Sequence, residues 1–319
     1  IYLDFKELFL TLFYFWQNRL KLILKILKMM YNIYMILFLV FAYVFLFVFF
    51  RSGKSKVWVL ALCCTLALLV STVASFAESR IDKFRVTVLD VGQGQCVLIQ
   101  SKDVCYMVDC GGDSGTRVAS AAVRSLWSNG FYRLDGIILT HFDEDHVNGV
   151  TPFLVQLGAD SLYIPNSSDK EGFRTEIEEN FHGTVNVVDE EITIPCGEGE
   201  ITIFPADFGT SGNESGLCIL FQAEECDILI TGDRNKTGEL RLMEQTELPD
   251  LEALIVGHHG SQSSTSLDLL RATRPDVAVI SVGKENYYGH PEQETLDRLN
   301  LFGCRILRTD VDGTIIIRR

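Results

Sequence analysis

Apolar residues are distributed along this chain in two different ways. From Met30 to Phe50, and again from Val57 to Ala77, they run without one charged residue. Each run is long enough to cross a bilayer core of roughly 30 Å at about 1.5 Å per helical residue. A secretory signal has an apolar core of only about 7–15 residues. Two long runs separated by Arg51, Lys54 and Lys56 therefore predict membrane spans at 30–50 and 57–77, with residues 7–16 as part of another. Lys21, Lys25 and Lys28 share one helical face, which suits a helix lying in the interface or a charged loop. Cations flank the first span on both sides, so the charge rule gives no orientation. The chain opens on Ile, and we read it as part of something longer.

After about Glu78 the apolar residues come in short runs punctuated by glycine and carboxylates. Strand patterns fall at 84–90, 96–100, 104–109, 136–140, 161–164, 184–188, 200–204, 217–222, 227–231, 253–256, 277–281, 304–308 and 314–318. Helical patterns fall at about 116–129, 150–157, 236–244, 265–272 and 291–301. This mixture predicts an α/β (α+β) domain of two mixed sheets packed face to face, with helices outside, over 84–319.

Three strand patterns end in side chains that bind metals. Gly136–Thr140 leads into His141, Asp143, Asp145 and His146 within THFDEDHVNG. Asp227–Thr231 leads into Gly232-Asp233, and Leu254–Val256 into Gly257-His258-His259-Gly260-Ser261. Imidazoles and carboxylates collected at one sheet edge suit divalent ions. Five of the six histidines lie in THFDEDHVNG, GHHGS and YYGHP; His182, in a separate polar loop, is read as a surface residue.

Charge narrows the class. From residue 78 on, the chain carries 40 acidic against 20 basic side chains, a formal net charge of −20. That excludes a broad electropositive nucleic-acid surface, so a polyanionic substrate would need metal and a local basic patch. The nine cysteines show no CxxC zinc pattern, and their odd number argues against a complete disulfide framework.

The motifs together resemble the metallo-β-lactamase superfamily. Asp143 stands where its second histidine is usual, which is typical of the ComEC-type competence channels that import DNA. LDVGQGQCVLI at 89–99, VDCGG at 108–112, HHGSQSS at 258–264, SVGKENYYGHP at 281–291 and RTDVDGTIII at 308–317 resemble that branch as well. The resemblance implies a four-layer αββα sandwich preceded by transmembrane helices. It implies a multi-pass membrane protein with this domain on the extracellular face, working with the remainder of the channel. The function implied is metal-dependent hydrolysis of DNA phosphodiesters in the strand that is not imported. Hydrolysis of another phosphodiester or ester, and a non-catalytic domain with a vestigial site, are the alternatives.

Carried onto these positions, the resemblance gives one or two ions. His141 and Asp143 would line the first position, Asp145 and His146 the second, and Asp233 would bridge. His258, or else His259, would complete the second. Asp109 would orient the metal loop. Asp145 would direct the nucleophile, and His290 would face the substrate or donate a proton. The carboxylate-rich set leans toward Mn²⁺, with Zn²⁺ also suited. Ser261, Ser263 and Ser264 fit either phosphate binding or capping of the next helix. Tyr287 and Tyr288 fit base stacking or packing. Gly92, Gly94, Gly111 and Gly112 are read as turn residues, and Asp310 and Asp312 as turn formers. Two departures weaken the first position. Gln95 replaces the acid of the usual DVGQGD, and no third-motif histidine is evident around Asn213–Leu217.

Overall fold

The computed structural model describes residues 83–319, except 168, 170, 206–215 and 225, with a few scattered residues before 83. The spans expected at 30–50 and 57–77, and the partial one at 7–16, lie essentially outside the described residues. Among the described residues no helix is long and apolar enough to cross a membrane. The chain divides into two compact units, 1–81 with 124–130, and 82–123 with 131–319. The predicted chemistry lies entirely in the second.

That unit is built on two seven-stranded sheets. The first contains β1 (Arg85–Val88), β2 (Val97–Ser101), β3 (Val104–Val108), β4 (Leu134–Ile138), β5 (Ala159–Pro165), β6 (Thr184–Val188) and β14 (Ile315–Arg318), in the order β14-β1-β2-β3-β4-β5-β6. The second contains β7 (Ile192–Cys196), β8 (Gly199–Phe204), β9 (Cys218–Ala223), β10 (Cys226–Ile230), β11 (Ala253–Ile255), β12 (Val277–Ile280) and β13 (Arg305–Arg308), in the order β13-β12-β11-β10-β9-β8-β7. Each sheet is half parallel and half antiparallel. Strands β3 to β6 run parallel, as do β10 to β13.

Side-chain alternation explains the layering. Val86, Val88, Val97, Ile99, Val108 and Ile138 of the first sheet meet Ile201, Ile203, Ile219, Phe221, Ile228, Ile230 and Ile255 of the second in one buried core. The opposite face of the second sheet presents Leu220, Leu229, Leu254 and Ile280 to helices. These are α5 (Lys236–Gln245), α6 (Leu267–Thr273) and α7 (Gln293–Leu301), which supply Leu242, Leu269, Leu270 and Leu299. Helices α1 (Gly115–Ser128), α2 (Glu144–Val147), α3 (Val150–Leu154) and α4 (Phe173–Asn180) follow strands of the first sheet, and α8 (Thr309–Asp312) precedes β14.

Four elements escape the sequence pattern: β7, α4 and the one-turn helices α2 and α8, the last holding Asp310 and Asp312 where a turn was expected. β7 carries Pro195, which cannot donate to a ladder and is tolerated because β7 is an edge strand. α4 buries only Ile177, so it has almost no apolar stripe to read. The start of α6 is capped by Ser266, whose side chain accepts from the Leu269 N–H. The capping role considered for Ser261, Ser263 and Ser264 belongs to that later serine.

Candidate metal centre

Parallel strands place their C-terminal ends on one edge, where ligand sites of α/β sheets collect. Here that edge holds Asp109 after β3, His141 after β4, Asp233 after β10, and His258-His259 after β11. Asp109, His258 and His259 have left-handed backbone, with φ of 56°, 49° and 53°. Non-glycine residues rarely adopt this conformation, and its cost concentrates at functional sites. The loop carrying Asp145 packs against two others, one carrying Gly94 between β1 and β2 and one carrying Gly111 after β3. A Cβ at Gly111 would overlap the Asp145 carbonyl carbon and the His146 nitrogen. Close approach to the histidine loop, rather than turn geometry alone, requires glycine there.

Asp109 is the hub. It is fully buried. Its Oδ1 accepts the Thr140 N–H at 2.7 Å. Its Oδ2 accepts the Thr140 hydroxyl at 2.7 Å and the Gln95 Nε2–H at 2.8 Å, and lies 2.7 Å from His146 Nδ1. Gln95 is thereby a donor built for this carboxylate. The sequence marks Thr140 only as a strand end; its hydrogen bond to Asp109 joins positions 31 residues apart and leaves no local signal.

These bonds fix the imidazoles. His141 Nδ1 lies 2.9 Å from Thr140 Oγ1, whose proton goes to Asp109, so Nδ1 is the donor. His259 Nδ1 donates to the Ser281 carbonyl at 2.8 Å. With every Nδ1 engaged, Nε2 of His141, His146 and His259 faces the opposite way, toward Asp233 and Asp145. Such outer hydrogen bonds set the tautomer of metal-binding histidines. Those three Nε2 atoms and Asp233 Oδ1 are buried without a well-formed hydrogen bond. His146 Nε2 and Asp233 Oδ1 are nonetheless 3.2 Å apart, and His259 Nε2 is 3.2 Å from Asp145 Oδ2.

Among the described residues, two overlapping sets have ligand atoms within 4.8 Å of one another: His141, His146 and Asp233, and Asp145, His146 and His259. Four orphaned polar atoms converging in a buried place cost several kcal/mol unless something satisfies them. A divalent ion does so, and the residues fit one. His258 Nε2 lies 3.4 Å from Asp233 Oδ2, with its side chain 28% exposed. Of the paired histidines, His259 belongs to one of these sets, while His258, the one expected first, lies beside Asp233. Asp143 Oδ2 lies 3.7 Å from His141 Nε2, on a side chain 66% exposed.

Electrostatics follow the packing. Burial opposes charge on His146, but Asp233 and Asp109 outweigh it and hold its pKa well above the usual value. Burial likewise opposes charge on Asp233, and His146 reverses this, holding it well below the usual carboxylate value. Asp145 is depressed to about 2, its burial overcome by His259 and His146. Burial lowers His141, and His146 lowers it further.

The remaining predicted residues lie around this cluster. The His290 ring is 5.7 Å from that of His258 and stacks on Tyr288. Burial, then His258 and His259, lower its pKa. Ser261 and Ser263 share a hydrogen bond of 2.9 Å, and Ser261 Oγ is 3.5 Å from Glu292 Oε1, so both are engaged in the turn itself. Asn213, Glu214 and Ser215 lie outside the described residues, while Leu217 N–H donates to Thr140 O at 2.8 Å. Arg234, buried beside Asp233, donates to the carbonyls of Pro205 and Gly216. His182 is exposed and apart from the cluster.

Comparison with known proteins agrees with the geometry. Residues 89–284 match the Metallo-beta-lactamase superfamily. ComE operon protein 3 of Bacillus subtilis is 27% identical over 281 residues, covering 81% of this chain and 35% of that protein. Competence protein ComA of Neisseria gonorrhoeae is 31% identical over 276 residues, covering 81% of this chain and 38% of that protein. The chain thus spans little more than a third of either relative. Among solved structures, the metallo-beta-lactamase fold protein YhfI from Bacillus subtilis matches with a TM-score of 0.52 at 13% identity, over 74% of this chain and 100% of that one. The matched stretch contains the strand ends, the buried carboxylate hub and the converging imidazoles, and it makes this chain a member of the metallo-beta-lactamase superfamily, with ComEC-type competence proteins among its relatives.

Proposed function

We propose that the domain is a metal-dependent hydrolase that cuts DNA phosphodiesters, as part of a membrane protein of DNA uptake. The observation that carries this is that three Nε2 atoms and one carboxylate oxygen lack well-formed hydrogen bonds in two overlapping buried ligand sets that share His146. Members of the superfamily are metal-dependent hydrolases, and the relatives named above are competence proteins. His141, His146, Asp233 and His259 would hold the ion or ions, with Asp145 and Asp143 at the rim. When bound, the metal supplies Lewis acidity and positive charge at the phosphoryl group. Asp145, ionised at all ordinary pH, accepts a hydrogen bond from the attacking water and orients it. His290 contacts the substrate beyond His258. The strand acted on is the one not imported, the domain lies on the extracellular face, and the rest of the channel is its partner.

A second reading, hydrolysis of another phosphodiester or an ester, is favoured by the acids around the neighbouring cleft, Asp113, Glu144 and Glu285. Incubating the purified chain and Mn²⁺ or Zn²⁺ with single-stranded DNA, duplex DNA and a small phosphodiester separates the two. Cleavage of DNA supports our reading. Turnover of the small ester alone establishes the second, and no turnover of anything supports a vestigial site.

Metal uptake should be pH-linked. His146 binds its proton more tightly than a free imidazole, and an ion must displace it. Apparent affinity therefore rises with pH through the neutral range, with proton release measurable by calorimetry in buffers of different ionisation enthalpy. Because Asp143 is exposed where the usual ligand is an imidazole, titration should show two unequal sites or one. Two equal, tight Zn²⁺ sites would contradict this.

A further inference from the structure

We infer that Tyr287 and Tyr288 form a stacking platform for an unpaired nucleobase, which makes single-stranded DNA the preferred substrate; this rests on the DNA reading above. Tyr287 is fully solvent-exposed, at 105%, and Tyr288 is 68% exposed. Large aromatic rings left in water beside a site call for a partner. The loop that carries them is built rather than loose. Asn286 Nδ2 donates to the carbonyls of Gly283 at 2.9 Å and His290 at 2.7 Å, and its Oδ1 accepts the His290 N–H at 3.0 Å. A side chain that pins both ends of its own loop presents the adjacent rings at little further cost in entropy.

The rings connect to the metal cluster on two sides. The Tyr288 ring lies 5.9 Å from that of His290, with an interplanar angle of 14°. His290 in turn neighbours His258, whose Nε2 is 3.4 Å from Asp233. On the other side, both tyrosines line a cleft of about 450 Å³ that reaches Asp145. That volume falls within the range of about 300–1,000 Å³ typical of small-ligand sites. A base held on the rings would leave its neighbouring phosphodiester facing the cluster.

Charge decides what part of the substrate the cleft can hold. Its walls carry Asp113, Glu144, Asp145 and Glu285 against Lys284 alone. Such walls repel a phosphate backbone, so affinity must come from base faces. Stacking accepts any base, because every base has a π-face. A duplex keeps those faces covered, and a single strand does not.

The test uses the full chain, a single-stranded phosphorothioate oligonucleotide, its abasic counterpart and the matching duplex. Tyr287→Ala should weaken binding of the base-bearing strand by about 5- to 100-fold and leave the abasic strand unchanged. Tyr287→Phe should stay close to the parent, and Tyr288→Ala should also weaken binding. With a cleavable strand, Tyr287→Ala should raise KM more than it lowers kcat. Equal binding by the parent and Tyr287→Ala, or equal losses on normal and abasic strands, would overturn the platform. If the parent cuts single-stranded DNA and Tyr287→Ala leaves KM untouched, only this inference falls. If the parent neither binds nor cuts any DNA, the DNA reading falls with it.

Discussion

Replacing Asp109 with alanine should lower folding stability by roughly 3–5 kcal/mol, the cost of leaving buried charged and polar partners unpaired. The carboxylate is fully buried and engages Thr140 N–H, the Thr140 hydroxyl, Gln95 Nε2 and His146 Nδ1. Alanine satisfies none of them. Part of this stabilisation depends on pH. The folded-state pKa of His146 is raised above its unfolded value, chiefly by Asp233 and Asp109 against the effect of burial. Its contribution is therefore fully present below the unfolded pKa and is lost as pH rises through the folded one. Urea midpoints for both proteins without added metal, across this range, measure the effect. A loss under about 1 kcal/mol would mean that Asp109 is not the hub described.

Asp233→Asn should abolish metal-supported hydrolysis while leaving the fold intact. Asp233 closes the set with His141 and His146, and asparagine keeps its shape but not its charge. Lewis-acid stabilisation is worth several kcal/mol, so the rate should fall about a thousandfold or more. Asp145→Ala should act similarly on rate, with smaller loss of metal, because its carboxylate is at the accessible side of the cluster. Circular dichroism and metal content, measured beside the rate, separate chemistry from unfolding. Full activity in Asp233→Asn would remove the cluster from the mechanism.

Much of this arrangement was legible before any coordinates. Strands that end in Gly or Thr followed by His or Asp identify both the sheet edge and most of the cluster, because only backbone direction is needed to gather strand ends. Two sheets packed face to face with helices outside follow from short strand runs mixed with helical ones, and the four-layer αββα order came with the family resemblance. The supporting residues were not legible. Thr140, Gln95 and the Ser281 carbonyl act through contacts between strands distant in sequence, and none has an unusual side chain. The choice within His258-His259 depends on two successive left-handed residues, which no periodicity encodes. β7 and α4 were missed because an edge strand with proline and a helix burying one isoleucine leave little apolar pattern.

The central claim is that these strand ends hold a divalent ion. Anomalous diffraction at the zinc or manganese absorption edge, from crystals grown with that ion, tests it most directly. The account predicts a peak within the set His141, His146 and Asp233 or the set Asp145, His146 and His259, with the former absent from Asp233→Asn crystals. No peak there, or one only at surface carboxylates, would contradict it.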